Sequence, residues 1–159
     1  MSAAAGDVTL REATEADAAG CRELINAVLA EFDLPPAPGS TDADLAGLPL
    51  SYTDRGGCFL VVERGSELLG TLGLWPHDAD TVELRKMYLK RAARGFGLGQ
   101  RLLDEALSWS RPRFRVMTLE TARQLSAAIA LYEARGFTRY EPEALSGRCD
   151  FAYRLVLRD

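Results

Sequence analysis

Histidine occurs once in the 159 residues, cysteine three times and lysine twice, against seventeen arginines. Each scarcity excludes a class of chemistry. Three cysteines (Cys21, Cys58 and Cys149), odd in number and far apart, cannot supply a paired disulfide framework, and with only His77 to help them they do not make a zinc site. No metal is expected, and unpaired cysteines fit a reducing compartment. One histidine and no G-x-S-x-G elbow leave little support for a serine-hydrolase triad. No stretch approaches the roughly 18 consecutive apolar residues of a membrane helix. The start, Met-Ser-Ala-Ala-Ala-Gly-Asp, has neither a basic region nor an apolar run. It does not read as a signal peptide, so a cytoplasmic protein without membrane association is expected. Repeats and low-complexity tracts are missing too.

What is present is enough for a core. Hydrophobic residues make up 47% and charged residues 26%, which fits one compact domain across residues 1–159 and argues against disorder. The net charge of −4 hides a split: residues 1–83 hold fifteen acidic and four basic side chains, residues 84–159 eight acidic and fifteen basic. A basic second half on an acidic protein suggests a polyanion bound locally.

Hydrophobic periodicity orders the chain. Val8 to Arg11 reads as a strand, and Thr14 and Asp17 outline a capping box for a helix running to about Glu31. The proline-rich segment Leu34 to Gly39 ends it, and Thr41 is expected to cap a second short helix reaching about Leu48. Cys58 to Glu63, Leu68 to Trp75 and Thr81 to Leu89 form an antiparallel meander. A helix buries Leu98, Leu102, Leu103, Ala106 and Leu107 and stops before Pro112. Val116 to Glu120 is a strand, Leu125 to Arg135 a helix with Gly136 at its end, and two strands follow near Phe137–Tyr140 and Asp150–Leu157. The order is α/β with a mixed sheet.

The informative segment runs from Leu84 to Leu103, strand to glycine turn to helix. Unpartnered amides and the macrodipole at a helix start attract anions, and glycines allow a phosphate to approach closely. Six basic residues (85, 86, 90, 91, 94 and 101) lie in this window without an acidic one between them. A polyphosphate ligand satisfies both features. A P-loop would end in Gly-Lys-Ser/Thr, and a Rossmann turn would space its glycines as G-x-G-x-x-G after the first strand of a parallel sheet; Gly99-Gln100-Arg101 does neither.

Arg94-Gly95-Phe96-Gly97-Leu98-Gly99 resembles the acetyl-coenzyme A motif Q/R-x-x-G-x-G/A of the GCN5-related N-acetyltransferases (GNAT). Leu131-Tyr132-Glu133-Ala134-Arg135-Gly136-Phe137 is similar to that family's second signature, L-Y-x-x-x-G-F. With the matching element order, the resemblance covers essentially the whole chain. It implies a mixed, mostly antiparallel sheet of six to seven strands, about four flanking helices, and a V-shaped splay between the fourth and fifth strands.

The resemblance further implies an N-acetyltransferase using acetyl-CoA as co-substrate. The pyrophosphate would sit on the amides of Gly95 to Gly99 and Gln100, with Arg94, Phe96 and Leu98 in the same turn. The pantetheine arm would pair with the strand edge at Met87, Tyr88 and Leu89, where a backbone amide stabilises negative charge on the thioester oxygen. Met87 and Leu89 read equally well as core residues. An attacking amine must be neutral, so a base is needed; Glu83 occupies the place of the base in the histone-acetylating branch, with Glu120 in reserve. Apart from the resemblance, Glu83 reads as a solvent-facing residue paired with Arg85. Tyr132 matches the general acid for the leaving thiolate and otherwise reads as a helix-end aromatic. Position 125, where the family often carries Asn, is Leu. His77, in a loop beside the cleft, could be a base or a substrate contact but reads more readily as a solvated residue, and Cys21 and Cys58 read as core.

The acceptor is expected to be a primary amine of a small molecule, since no additional docking segment stands out. The acidic first half favours a cationic amine, whereas Arg85 facing the cleft would favour one bearing a carboxylate; the residues leave both open. Other readings are a coenzyme A-binding module that senses acyl-CoA, and a nucleic-acid binder, which lacks any reading motif. A homodimer is compatible with the family.

Overall fold

The structure is a computed structural model that describes residues 7–159. Seven strands form, with β4 and β5 alternating in burial and β2 and β3 as continuous buried runs: β1 (Thr9–Glu12), β2 (Cys58–Arg64), β3 (Glu67–Pro76), β4 (Thr81–Leu89), β5 (Val116–Thr121), β6 (Thr138–Tyr140) and β7 (Phe151–Val156). They form one sheet in the order β1-β2-β3-β4-β5-β7-β6. Short turns join β2, β3 and β4 as antiparallel neighbours, while β4 and β5 are parallel because α3 (Leu98–Ser110) crosses between them. The other helices are α1 (Ala18–Glu31), α2 (Leu50–Thr53) and α4 (Ser126–Ala134).

Each sheet face carries its own core. On one, Leu98, Leu102, Leu103, Ala106 and Leu107 of α3 pack with Val82, Leu84, Met117 and Leu119. On the other, Cys21, Leu24, Ile25, Val28 and Leu29 of α1 pack with Tyr52, Phe59 and Val61. Burying one such large aliphatic side chain contributes about 1.5–3 kcal/mol. Cys21 and Cys58 are core, and burial pushes their thiols up to about 11 and about 12.

The entry to α1 is a single 3-10 turn, Glu15–Asp17, with the Thr14 amide donating to the Asp17 carboxylate at 2.7 Å. The expected second helix from Thr41 to Leu48 is not formed. A 3-10 turn at Ala43–Gly47 and the one-turn α2 replace it. Pro49 has no amide to donate and its ring would clash one turn back, so no helix runs through it. The break seats Tyr52 in the core, edge-on to Phe59 and Trp75 with ring centroids 5.1 Å apart in each pair.

Two irregularities in β4 shape the site. Its pairing with β5 runs only from Thr81↔Val116 to Leu84↔Leu119, after which the two strands diverge and β4 continues to Leu89 paired with β3 alone. This is the splay that the resemblance implied. On the other side, the register with β3 slips between Gly73↔Arg85 and Thr71↔Tyr88. Lys86 takes a left-handed conformation there (φ +54°), and the Thr71 hydroxyl donates to the Lys86 carbonyl at 2.7 Å. A bulge of this kind re-aims side chains: Met87 and Leu89 pack on the α3 side, whereas Tyr88 packs on the α1 side.

Candidate active site

Gly95 and Gly97 adopt φ values of +89° and +78°, the left-handed region that glycine enters without penalty. Gly97 is the N-cap of α3, so the first amides of that helix follow directly from the turn and have no intrahelical acceptors. The turn forms one wall of a cavity of about 390 Å³. Its other walls are Met87, Tyr88 and Leu89 on the splayed part of β4, the segment Gln124–Ala128 with Leu131 at α4, and Val28 and Phe32 at the end of α1. An amide-rich end and a strand edge released from β5 suit an extended ligand with a phosphate at one end and an amide-bearing arm.

Gly95, Gly97, Leu98, Gly99 and Gln100 all line this groove. Phe96 does not; its side chain is exposed. The Arg94 guanidinium turns back onto the protein, donating to the Leu89 carbonyl at 2.9 and 3.2 Å and pairing with Glu31. Arg94 therefore ties the turn to β4 and α1. Leu125 sits at the junction of this groove with a second cavity, presenting a hydrocarbon where the family often carries an amide.

The second cavity, about 430 Å³, opens beyond Met87 and Tyr88 and is lined by Glu83, Arg85, Lys86, Glu120, Tyr132 and Arg148 among others. The two predicted reacting side chains, from β4 and α4, thus share one chamber. Glu83 Oε1 lies 3.0 Å from Arg85 Nη2 and shares a hydrogen bond of 2.7 Å with His77 Nε2. No described residue hydrogen-bonds Glu83 Oε2. The Arg85 pairing expected from the strand position is present, then, but occupies one oxygen only. Tyr132 is buried, burial pushes its phenol upward, and no described residue hydrogen-bonds its hydroxyl. The Glu120 Oε1 accepts from the Ser146 amide at 2.7 Å and the Ser146 hydroxyl at 2.9 Å, and here too Oε2 lacks a donor.

Two contributors, Asp42 and Arg148, were not singled out from the sequence, and a third, His77, has a partner that the sequence did not name. His77, read as a solvated loop residue, contacts Glu83 because the β3–β4 hairpin pairs Trp75 with Glu83 and leaves His77 just beyond. Hairpin register was the available signal. Asp42 and Arg148 lie in the 34–49 segment and the β6–β7 connection, where no local pattern singles out either residue. Arg148 donates to both Asp42 oxygens at 2.6 Å, and Lys86 Nζ lies 3.2 Å from Asp42 and 3.3 Å from Asp44. Burial opposes ionisation of Asp42, but the Arg148 hydrogen bonds and the Ala37 amide hold it down at about 2. Asp42 thereby joins the 34–49 segment, β4 and the β6–β7 connection around the chamber.

An antiparallel meander that splays from a parallel neighbour, with a helix start at the open edge and a chamber lined by Glu83, Glu120 and Tyr132 behind it, is the arrangement that the resemblance to the acetyltransferases implied. Residues 21–137 match the Acetyltransferase (GNAT) family. The chain is 37% identical over 134 residues to the uncharacterised N-acetyltransferase YjgM of Escherichia coli, covering 80% of each chain. It is 34% identical over 140 residues to the N-alpha-acetyltransferase RimI of Mycobacterium tuberculosis, covering 87% of this chain and 84% of the relative. Among solved structures, a GNAT acetyltransferase of Staphylococcus aureus superposes with a TM-score of 0.87 at 21% identity, covering 95% of this chain and 99% of the other. YncA of Salmonella typhimurium, solved with its cofactor acetyl-CoA, gives 0.76 at 24% identity, covering 96% and 95%. The chain belongs to the GNAT family of acetyltransferases.

Proposed function

We propose that the protein transfers an acetyl group from acetyl-CoA to a primary amine of a small molecule, both substrates being bound together. The observation that carries this reading is the meeting of the two cavities at Met87, Tyr88, Leu125 and Ala128. An arm held in the groove and an amine held in the chamber would come face to face there.

The donor fits the groove on this chain's own features: two left-handed glycines, the start of α3, and β4 residues freed from β5. When bound, acetyl-CoA supplies an acetyl group activated as a thioester. The Gly95–Gln100 backbone binds its phosphates, and the edge at Met87–Leu89 pairs with the arm as an added strand. In the chamber, Glu83 Oε2 accepts the proton that the attacking nitrogen releases as the C–N bond forms and the C–S bond breaks. The Tyr132 hydroxyl donates a proton to the departing sulfur; a phenol kept protonated by its buried surroundings is suited to that role. Exchange with solvent restores both groups. Arg85 and His77 hold Glu83 by its other oxygen and so orient the accepting one.

A thermal-shift comparison with acetyl-CoA, CoA, ATP and NADPH tests donor binding. A ligand at 100 times its dissociation constant stabilises by about 2.7 kcal/mol, so an upward shift confined to the two CoA species is expected. Thiol release across an amine panel then tests transfer. A protein that binds acetyl-CoA and acetylates none of the amines would be a sensing module instead.

A further inference from the structure

Resting on that reading, we infer that the acceptor is a diamine-type dication without a carboxylate, bound between Glu83 and Glu120.

Charge around the chamber decides against carboxylate-bearing amines. Three cations line it, and each has an anionic partner. Arg148 is bound through both terminal nitrogens to Asp42. Lys86 lies between Asp42 and Asp44 and also donates to the Thr41 carbonyl at 3.1 Å. Arg85 pairs with Glu83 and packs over the Trp75 ring, 4.3 Å from its centroid. A carboxylate entering this space would meet no uncommitted cation, and breaking a buried pair to free one leaves a charge uncompensated.

The anions are not balanced in the same way. Glu120 receives only neutral donors, the amide and hydroxyl of Ser146. Its remaining oxygen and that of Glu83 have no donor from any described residue. The parallel register Glu83↔Thr118 and Leu84↔Leu119 sends Leu84 and Leu119 into the α3 core, so Glu83 and Glu120 share the opposite face. A strand spacing of about 4.8 Å and a two-residue offset of about 6.6 Å separate their backbones by about 8 Å before the splay widens. Tyr132, about nine-tenths buried with its hydroxyl unpartnered, lines the same chamber. One nitrogen of a short diamine, neutral when it attacks, would face Glu83 and Tyr132 while the other, as an ammonium, binds Glu120.

Three four-carbon probes isolate the second group: 1,4-diaminobutane, butylamine and 4-aminobutanoate. Thiol release with saturating acetyl-CoA should give the diamine a kcat/KM about tenfold or more above butylamine, with 4-aminobutanoate the poorest. The diamine-to-butylamine ratio should collapse towards one in Glu120→Gln and persist in Glu120→Asp, which keeps the charge. A CoA-induced thermal shift reports whether each variant retains its fold and its groove. The inference is overturned if 4-aminobutanoate matches the diamine, if the ratio survives Glu120→Gln, or if the CoA-binding protein acetylates none of the three. Loss of the CoA shift in the unmodified protein would overturn the acetyltransferase reading itself, and this inference with it.

Discussion

Lys86 reaches from the bulge in β4 to place Nζ 3.2 Å from Asp42 Oδ1, with both side chains only 4% exposed. The pair connects the strand that bears the candidate base to the 34–49 segment, which lines the second cavity through Leu34, Ser40 and Thr41. Arg148 holds the same carboxylate from the β6–β7 connection. Asp42→Asn would leave Arg148 without its carboxylate partner and Lys86 with Asp44 alone, and breaking a buried pair from one side costs about 3–5 kcal/mol. A loss of about 3 kcal/mol in urea unfolding is expected. A change below 1 kcal/mol would show that water already reaches this cluster.

Acid should destabilise the protein through the same carboxylate. Folding lowers Asp42 from 3.8 to about 2. A group depressed in the folded state stabilises fully above its unfolded value and loses that contribution as pH falls through the folded one. A difference near two units is worth roughly 2 kcal/mol, present at neutral pH and lost between about pH 4 and pH 2. Asp17, held at about 2 chiefly by hydrogen bonds from Arg11, adds a loss in the same window. Urea unfolding from pH 7 down to pH 3 measures the slope, which should be shallower in Asp42→Asn.

Glu83→Gln keeps the size of the side chain and removes its basicity. Turnover with any accepted amine should fall by about a hundredfold or more, while acetyl-CoA affinity by calorimetry stays within about twofold. Full activity in this variant would move the base to Glu120, the other carboxylate lining the chamber.

Tyr132→Phe separates chemistry from packing. Because no described residue hydrogen-bonds the hydroxyl, its removal costs no hydrogen bond, and the ring contact with Phe137 at 5.8 Å remains. Stability should change by less than about 0.5 kcal/mol, whereas kcat falls by about tenfold to a hundredfold. An unchanged kcat would reduce Tyr132 to a core aromatic.

Local pattern determined much of this protein. Alternation in Thr81–Leu89 and Val116–Thr121, the helical spacing from Leu98 to Leu107, and the glycines at 95 and 97 are properties of neighbouring residues, and each element formed close to where its pattern lies. The helix expected from Thr41 to about Leu48 forms only as the 3-10 turn Ala43–Gly47, and the local reason at its end is Pro49, which favours the extended conformation that Leu48 adopts. Tertiary structure decided which groups meet. His77 reaches Glu83 only through hairpin register, and Arg148 reaches Asp42 across 106 residues of chain. Which cations stay available to a ligand depends on such long-range pairing, because a buried charge is neutralised by whatever the fold brings beside it. The sequence alone therefore specified the glycine turn and the groove beside it, built from consecutive backbone, and left the second cavity to the packing of separate loops.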